Sequence, residues 1–284
     1  MSHALISAPT LRARLASGAP CLLFDCSFDL ADPAAGERQH ALRHLPGALY
    51  LHLDRDLSAP RTDAARGRHP LPDRAAFARH LASLGLHDDL PVVAYDGNGG
   101  MYAARLWWML RWLGHAAVQV LDGGLAAWDA AGGKLQGGLV AALAPALFTL
   151  RPPLVEAVDY GSLRAGLGQA GRLIVDARAP DRFRGENETL DPVGGHIPGA
   201  LNRCFRDNLA ADGCFKPAAQ LQAEWTAVTG RRPAADLVMQ CGSGVTACHN
   251  LLALEVAGLP GAQLYPGSWS EWCAQPGAPV AVGA

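Results

Sequence analysis

Leu237-Val238-Met239-Gln240-Cys241-Gly242-Ser243-Gly244-Val245-Thr246 leads from an apolar run, through a loop with two glycines, into a helical stretch that reaches Ala257. Its order is buried strand, tight loop, helix. A cysteine at that junction faces the free N–H groups of the loop and of the first helical turn. The partial positive charge at the helix end favours thiolate over thiol. Two glycines let the backbone turn tightly enough for several N–H groups to converge on one atom. The run reads as a cradle for a nucleophile; an inert buried cysteine needs no such loop.

The same pattern occurs earlier. Pro91-Val92-Val93-Ala94-Tyr95-Asp96-Gly97 corresponds to Asp236-Leu237-Val238-Met239-Gln240-Cys241-Gly242. Leu22-Leu23-Phe24-Asp25 is echoed by Leu173-Ile174-Val175-Asp176, and His44-Leu45-Pro46-Gly47-Ala48-Leu49 by His196-Ile197-Pro198-Gly199-Ala200-Leu201. Leu121-Asp122-Gly123-Gly124-Leu125-Ala126-Ala127-Trp128 returns as Leu264-Tyr265-Pro266-Gly267-Ser268-Trp269-Ser270-Glu271-Trp272. The four matches keep their order, each displaced by about 150 residues, the size of one domain. Two tandem copies of one domain follow. Asp96 aligns with Cys241, so the first copy keeps the loop but lacks the nucleophile, and is expected to wall one side of a site between domains.

Short apolar strands at 21–25, 91–95 and 117–121 alternate with helical stretches at 9–17, 73–84, 101–113 and 124–131. The second half repeats this, with strands near 172–176, 236–240 and 261–265 and helices near 157–165, 216–229, 245–257 and 269–273. Such alternation implies an α/β fold of parallel sheets covered on both faces. Pro152-Pro153 and the Gly/Ala-rich stretch 132–147 mark the connection. The expected division is a non-catalytic domain over 1–135, a linker over 136–155 and a catalytic domain over 156–284.

The chain has 284 residues, half of them hydrophobic, and a formal net charge of −2. That is enough chain for two cores, and the charge points to neither nucleic acid nor membrane as a partner. The Leu106–Trp112 region contains Arg111, with Arg105 just before it, and is too short to span a bilayer, so it reads as a buried helix; the first residues lack the pattern of a secretory signal. Seven cysteines at irregular spacing make no disulfide framework, and the absence of CxxC and HExxH runs argues against a metal site. A reducing cytoplasm is the expected location.

The duplicated His-x-Pro-Gly-Ala element, the Asp-Gly-Gly-Leu-x-x-Trp and Gly-Ser-Trp-x-Glu-Trp endings and the Cys-Gly-Ser-Gly-Val-Thr loop resemble the two-domain rhodanese-type sulfurtransferases. The resemblance covers almost the whole chain and implies two tandem rhodanese-like domains. The loop is most similar to the 3-mercaptopyruvate branch; the thiosulfate branch carries two basic residues where this chain has Gly242 and Ser243. The resemblance implies that Cys241 takes sulfur from 3-mercaptopyruvate as a persulfide, releases pyruvate, and passes the sulfur to an acceptor. A thioredoxin-like reductant, a low-molecular-weight thiol or cyanide would serve as that acceptor. No cofactor is implied. Ser243, His69 and Asp54 fall on the positions of a proton relay, while Arg182 falls on the arginine that clamps the substrate carboxylate. Gly242, Gly244, Val245 and Thr246 would line the sulfur site, and Tyr102 the cleft. One departure stands out: the 186–191 segment lacks the branch's second carboxylate-binding arginine.

Rival readings are weaker. A cysteine phosphatase would need an arginine six positions after the cysteine, where Ala247 stands. Gly242-x-Gly244-x-x-Ala247 fits a loose dinucleotide fingerprint without the ribose-binding acid in place. A thiosulfate sulfurtransferase, or a persulfide carrier fed by a partner protein, remains as an alternative.

Overall fold

The computed structural model describes residues 4–141, 143–168 and 171–283. In the first repeat the elements are β1 (Leu5–Ile6), α1 (Ala8–Ala16), β2 (Leu22–Asp25), α2 (Ala35–Leu42), β3 (Leu49–Tyr50), α3 (Arg74–Ser83), β4 (Val92–Tyr95), α4 (Ala103–Trp112), β5 (Val118–Leu121) and α5 (Gly124–Ala130). In the second they are α6 (Tyr160–Ala165), β6 (Leu173–Asp176), α7 (Pro180–Arg184), β7 (Leu201–Asn202), α8 (Ala218–Thr229), β8 (Leu237–Gln240), α9 (Thr246–Val256), β9 (Gln263–Leu264) and α10 (Ser268–Trp272).

Both sheets are parallel, in the orders β1-β5-β4-β2-β3 and β7-β6-β8-β9. The orders superimpose strand for strand, and a single parallel bridge from Ala157 to Leu264 stands where β1 stands in the first repeat. Alternation along the strands divides the core. Val92 and Ala94 face one layer, Val93 and Tyr95 the other; Leu237 and Met239 face one, Val238 the other. The inner layers of the two sheets meet through α4 and α9, which pack on each other in one continuous core. Residues 103–110 of α4 and 247–254 of α9 are all buried, Arg105, His249 and Asn250 among them. Each leucine fully buried along this seam is worth about 1.5–3 kcal/mol, which fixes one repeat against the other.

Several boundaries differ from the sequence expectation for local reasons. Two second-half helices start late, because Asp159 caps α6 through the Ser162 N–H and Pro217 precedes α8. The strand expected over 261–265 is only Gln263–Leu264. The connection is not loose: Ala146 and Arg151 donate backbone bonds to Ala82 and Leu113, and Thr149 donates to Asp88 Oδ1. Among the described residues no helix is long and apolar enough to cross a membrane.

Candidate active site

Cys241 directly follows the last residue of β8 and is buried. Its Sγ accepts the Ser243 N–H at 3.5 Å and the Gly244 N–H at 3.2 Å. The loop is held from behind by α10 and the turn before it: Cys241 N–H donates to Ser268 Oγ, Trp269 N–H to the Cys241 carbonyl and Ser270 N–H to the Gly242 carbonyl. Ser268 accepts this role at φ +53, an uncommon conformation for a residue with a side chain. Gly244 has φ +77, and a Cβ there would lie 2.3 Å from the Pro266 carbonyl oxygen, so only glycine fits. Among the described residues no side chain caps α9, and the Val245 and Thr246 N–H groups find no backbone acceptor. Both residues line a cavity of about 230 Å³ that also contains Cys241.

The first repeat closes the equivalent loop on itself. Asp96 Oδ1 accepts the N–H groups of Asn98 and Gly100, and its Oδ2 those of Tyr102 and Ala103 at the start of α4. The carboxylate occupies its own cradle: one oxygen on the loop, one on the helix end. In the second repeat a lone sulfur accepts from the loop donors Ser243 and Gly244, and the helix end takes no acceptor among the described residues.

Ser243 and His69 come together across the repeats. His69 Nδ1 lies 2.7 Å from Ser243 Oγ, and its Nε2 lies 3.2 Å from Asp54 Oδ1. A carboxylate on Nε2 fixes the proton there and leaves Nδ1 to accept from the serine hydroxyl. Burial pushes the imidazole pKa below its ordinary value, against the pull of Asp54. The Asp54 side chain, by contrast, is about half exposed. Tyr102 lines the cavity and is buried.

Arg182 also lines the cavity, but its guanidinium is already engaged. Its Nε and Nη2 donate to Glu188, and its Nη1 has no acceptor among the described residues. Against the burial that disfavours its charge, these bonds hold Glu188 below the usual carboxylate value. Arg178 has an acceptor on every guanidinium nitrogen, drawn from Asp176, Glu188 and the Gly195 carbonyl. Two arginines that sequence reasoning passed over enter from the first repeat. Arg68 lines the cavity and pairs with Asp191. Arg105, fully buried, donates to the carbonyls of Gly244, Leu57 and His69. No local motif marks either, because their partners are 123 and 139 residues away. Cys204 and Arg206 also line the cavity.

The six other cysteines are held as thiols. Burial pushes Cys248 up to about 12 and Cys214 and Cys273 up to about 11, and raises Cys21, Cys26 and Cys204 as well.

A parallel α/β repeat with a cysteine in a strand–loop–helix cradle, beside a second copy whose cradle is self-filled, defines a tandem family. The chain belongs to the family of the rhodanese-like domain, which matches it twice, over residues 7–131 and 159–275. It is 50% identical over 283 residues to a probable 3-mercaptopyruvate sulfurtransferase of Pseudomonas aeruginosa, covering 99% of each chain. It is 35% identical to the thiosulfate sulfurtransferase of Bos taurus, over 88% of this chain and 84% of that one. Among solved structures it is similar to the 3-mercaptopyruvate sulfurtransferase from Leishmania major, with a TM-score of 0.85 and 30% identity, over 97% of this chain and 76% of that one.

Proposed function

We propose that the protein is a 3-mercaptopyruvate sulfurtransferase working through a persulfide on Cys241. The observation that carries the reading is the Ser243–His69 contact of 2.7 Å beside the cradle. The Cys241 thiolate attacks the donor sulfur, the C–S bond breaks, and its electron pair passes to carbon as the pyruvate enolate. The proton leaving the outer sulfur is the one the enolate carbon gains. Ser243 and His69 move it, with Asp54 orienting the imidazole, so the relay ends as it began. The outer sulfur of the persulfide anion is stabilised by the open N–H groups of Val245 and Thr246, as Asp96 Oδ2 is by Tyr102 and Ala103 in the first repeat. Gly242 and Gly244 give that cradle its tight turn, and Tyr102 walls the cleft.

Three arginines (Arg68, Arg178 and Arg182) face three carboxylates (Asp176, Glu188 and Asp191) on one wall, so it carries little net charge. That wall suits the single carboxylate of a keto acid better than a compact dianion such as thiosulfate. The 50% identical relative supports the same donor. Domain 1–135 supplies His69 and Asp54 of the relay, domain 156–284 the nucleophile and Ser243, and 136–155 joins them. A small thiol, a thioredoxin-like reductant or cyanide takes the sulfur, and seven free cysteines suit a reducing cytoplasm.

The test is a donor panel with cyanide as the common acceptor. 3-Mercaptopyruvate should exceed thiosulfate in kcat/KM by about tenfold or more. Intact mass after donor treatment should show one added sulfur, absent in Cys241→Ser. Equal or better use of thiosulfate would overturn the donor, and sulfur retained by Cys241→Ser would overturn the nucleophile.

A further inference from the structure

The 64–70 loop of the first repeat is seated on the second repeat's last helix. Gly67, at φ +79, lies so close to Gly267 that a Cβ would stand 2.8 Å from its carbonyl oxygen. Gln275 Nε2 donates to the Ala65 carbonyl at 2.8 Å, and the Arg68 N–H donates to Ser270 Oγ at 3.0 Å. Ser270 in turn donates its own N–H to the Gly242 carbonyl at 2.9 Å. The backbone of Arg68 is therefore tied, through one residue, to the loop that carries Cys241.

The Arg68 side chain uses this placement. Its Nη1 donates to Asp191 Oδ1, and its Nη2 lies 2.8 Å from the point a Cβ on residue 242 would occupy. The terminal nitrogens of Arg182 lie 3.6 and 3.7 Å from the same point. Two guanidinium groups so close repel unless anions stand with them. Asp191 does so, with Oδ1 on Arg68 and Oδ2 3.5 Å from Arg182, while Glu188 holds the far edge of Arg182. Arg68 Nη2 and Arg182 Nη1 donate to no acceptor among the described residues. Both line the Cys241 cavity.

We propose that Arg68 and Arg182 form the donor's carboxylate site, one oxygen taking an N–H from each, and that Arg68 sets the preference for an α-keto acid. The first repeat thereby supplies the second cation that the 186–191 segment lacks, and Asp191 yokes the pair. The proposal rests on the sulfurtransferase reading above.

The probe is mercaptoacetone, which keeps the thiol and ketone of 3-mercaptopyruvate but not its carboxylate. Arg68→Ala should lower kcat/KM for 3-mercaptopyruvate by about 10- to 100-fold, chiefly through KM, and change mercaptoacetone by less than about twofold. Arg68→Lys should recover part of the loss, and serves in place of alanine if that variant fails to fold. Equal losses on both donors, or no loss on either, would overturn the role of Arg68 alone. Wild-type protein that ignores 3-mercaptopyruvate would overturn the donor reading and this proposal together.

Discussion

Arg105, on the helix that follows the self-filled cradle, donates to the carbonyl of Gly244 in the working cradle at 3.1 Å. In a trans peptide the C=O and the following N–H point in opposite directions. Holding the Gly244 carbonyl on the Arg105 side thus turns the Val245 N–H toward the cavity. The same guanidinium donates to the His69 carbonyl at 3.0 Å, so one buried side chain holds both the Cys241 loop and the backbone of the proposed relay histidine. A hydrogen bond to a charged group is worth about 1.5–3 kcal/mol, or roughly 10- to 100-fold. Arg105→Met should slow single-turnover pyruvate release by about that factor, with Arg105→Lys partly restored. An unchanged rate with a lowered melting temperature would leave Arg105 a packing residue.

The relay should show itself in the pH profile. Burial lowers the His69 pKa below the usual value, so at neutral pH the imidazole is uncharged and able to accept the Ser243 proton. Activity should fall on acidification with an apparent pKa below about 6.5. Asp54, held below its usual range by its bond to His69, stays ionised and raises the imidazole pKa. Asp54→Asn should therefore move the acid limb further down. Stability has the same sign: the unfolded chain binds the His69 proton first, so stability falls as pH drops through the usual histidine value toward the lowered one. A limb that shifts upward in Asp54→Asn would contradict the assigned geometry.

What could be read from sequence follows the reach of each interaction. The longer strands and α4 and α9 were legible because their burial pattern is local: Val92 to Tyr95 or residues 247–254 report their own surroundings. The two-residue strands β1, β3 and β7 were not, since so short a run has no period. Helices α2 and α7 were also missed: half of α2 is polar, in one unbroken run with no helical period, and α7 has five residues. Cys241 was legible from its own loop, whereas His69 and Asp54 needed the family resemblance. Arg68 and Arg105 carried no signal at all. Their work depends on the packing of one repeat against the other, which no local pattern encodes.

Asp96 should matter to folding and not to turnover. Its carboxylate satisfies four backbone N–H groups in a buried loop. Orphaning buried donors costs about 1–3 kcal/mol each, with less than full additivity. Asp96→Ala should lower stability by about 2–4 kcal/mol in denaturant unfolding, while the rate per folded molecule stays within about threefold. A large loss of kcat at unchanged stability would instead give the first cradle a part in the chemistry.

Ser243 and His69 should behave as one unit, because the proposed proton path passes through both and their contact is direct at 2.7 Å. Each single alanine variant should lower kcat for 3-mercaptopyruvate by about 10²–10⁴, the range of a general acid–base group. The double variant should be no slower than the worse single one, since the path is already broken. Thiosulfate should feel these changes less, because no carbon leaving group needs a proton. Separate, additive losses from Ser243→Ala and His69→Ala on 3-mercaptopyruvate would show that the two act independently. The cradle and the arginine pair would then have to carry the reaction with the proton delivered from solvent.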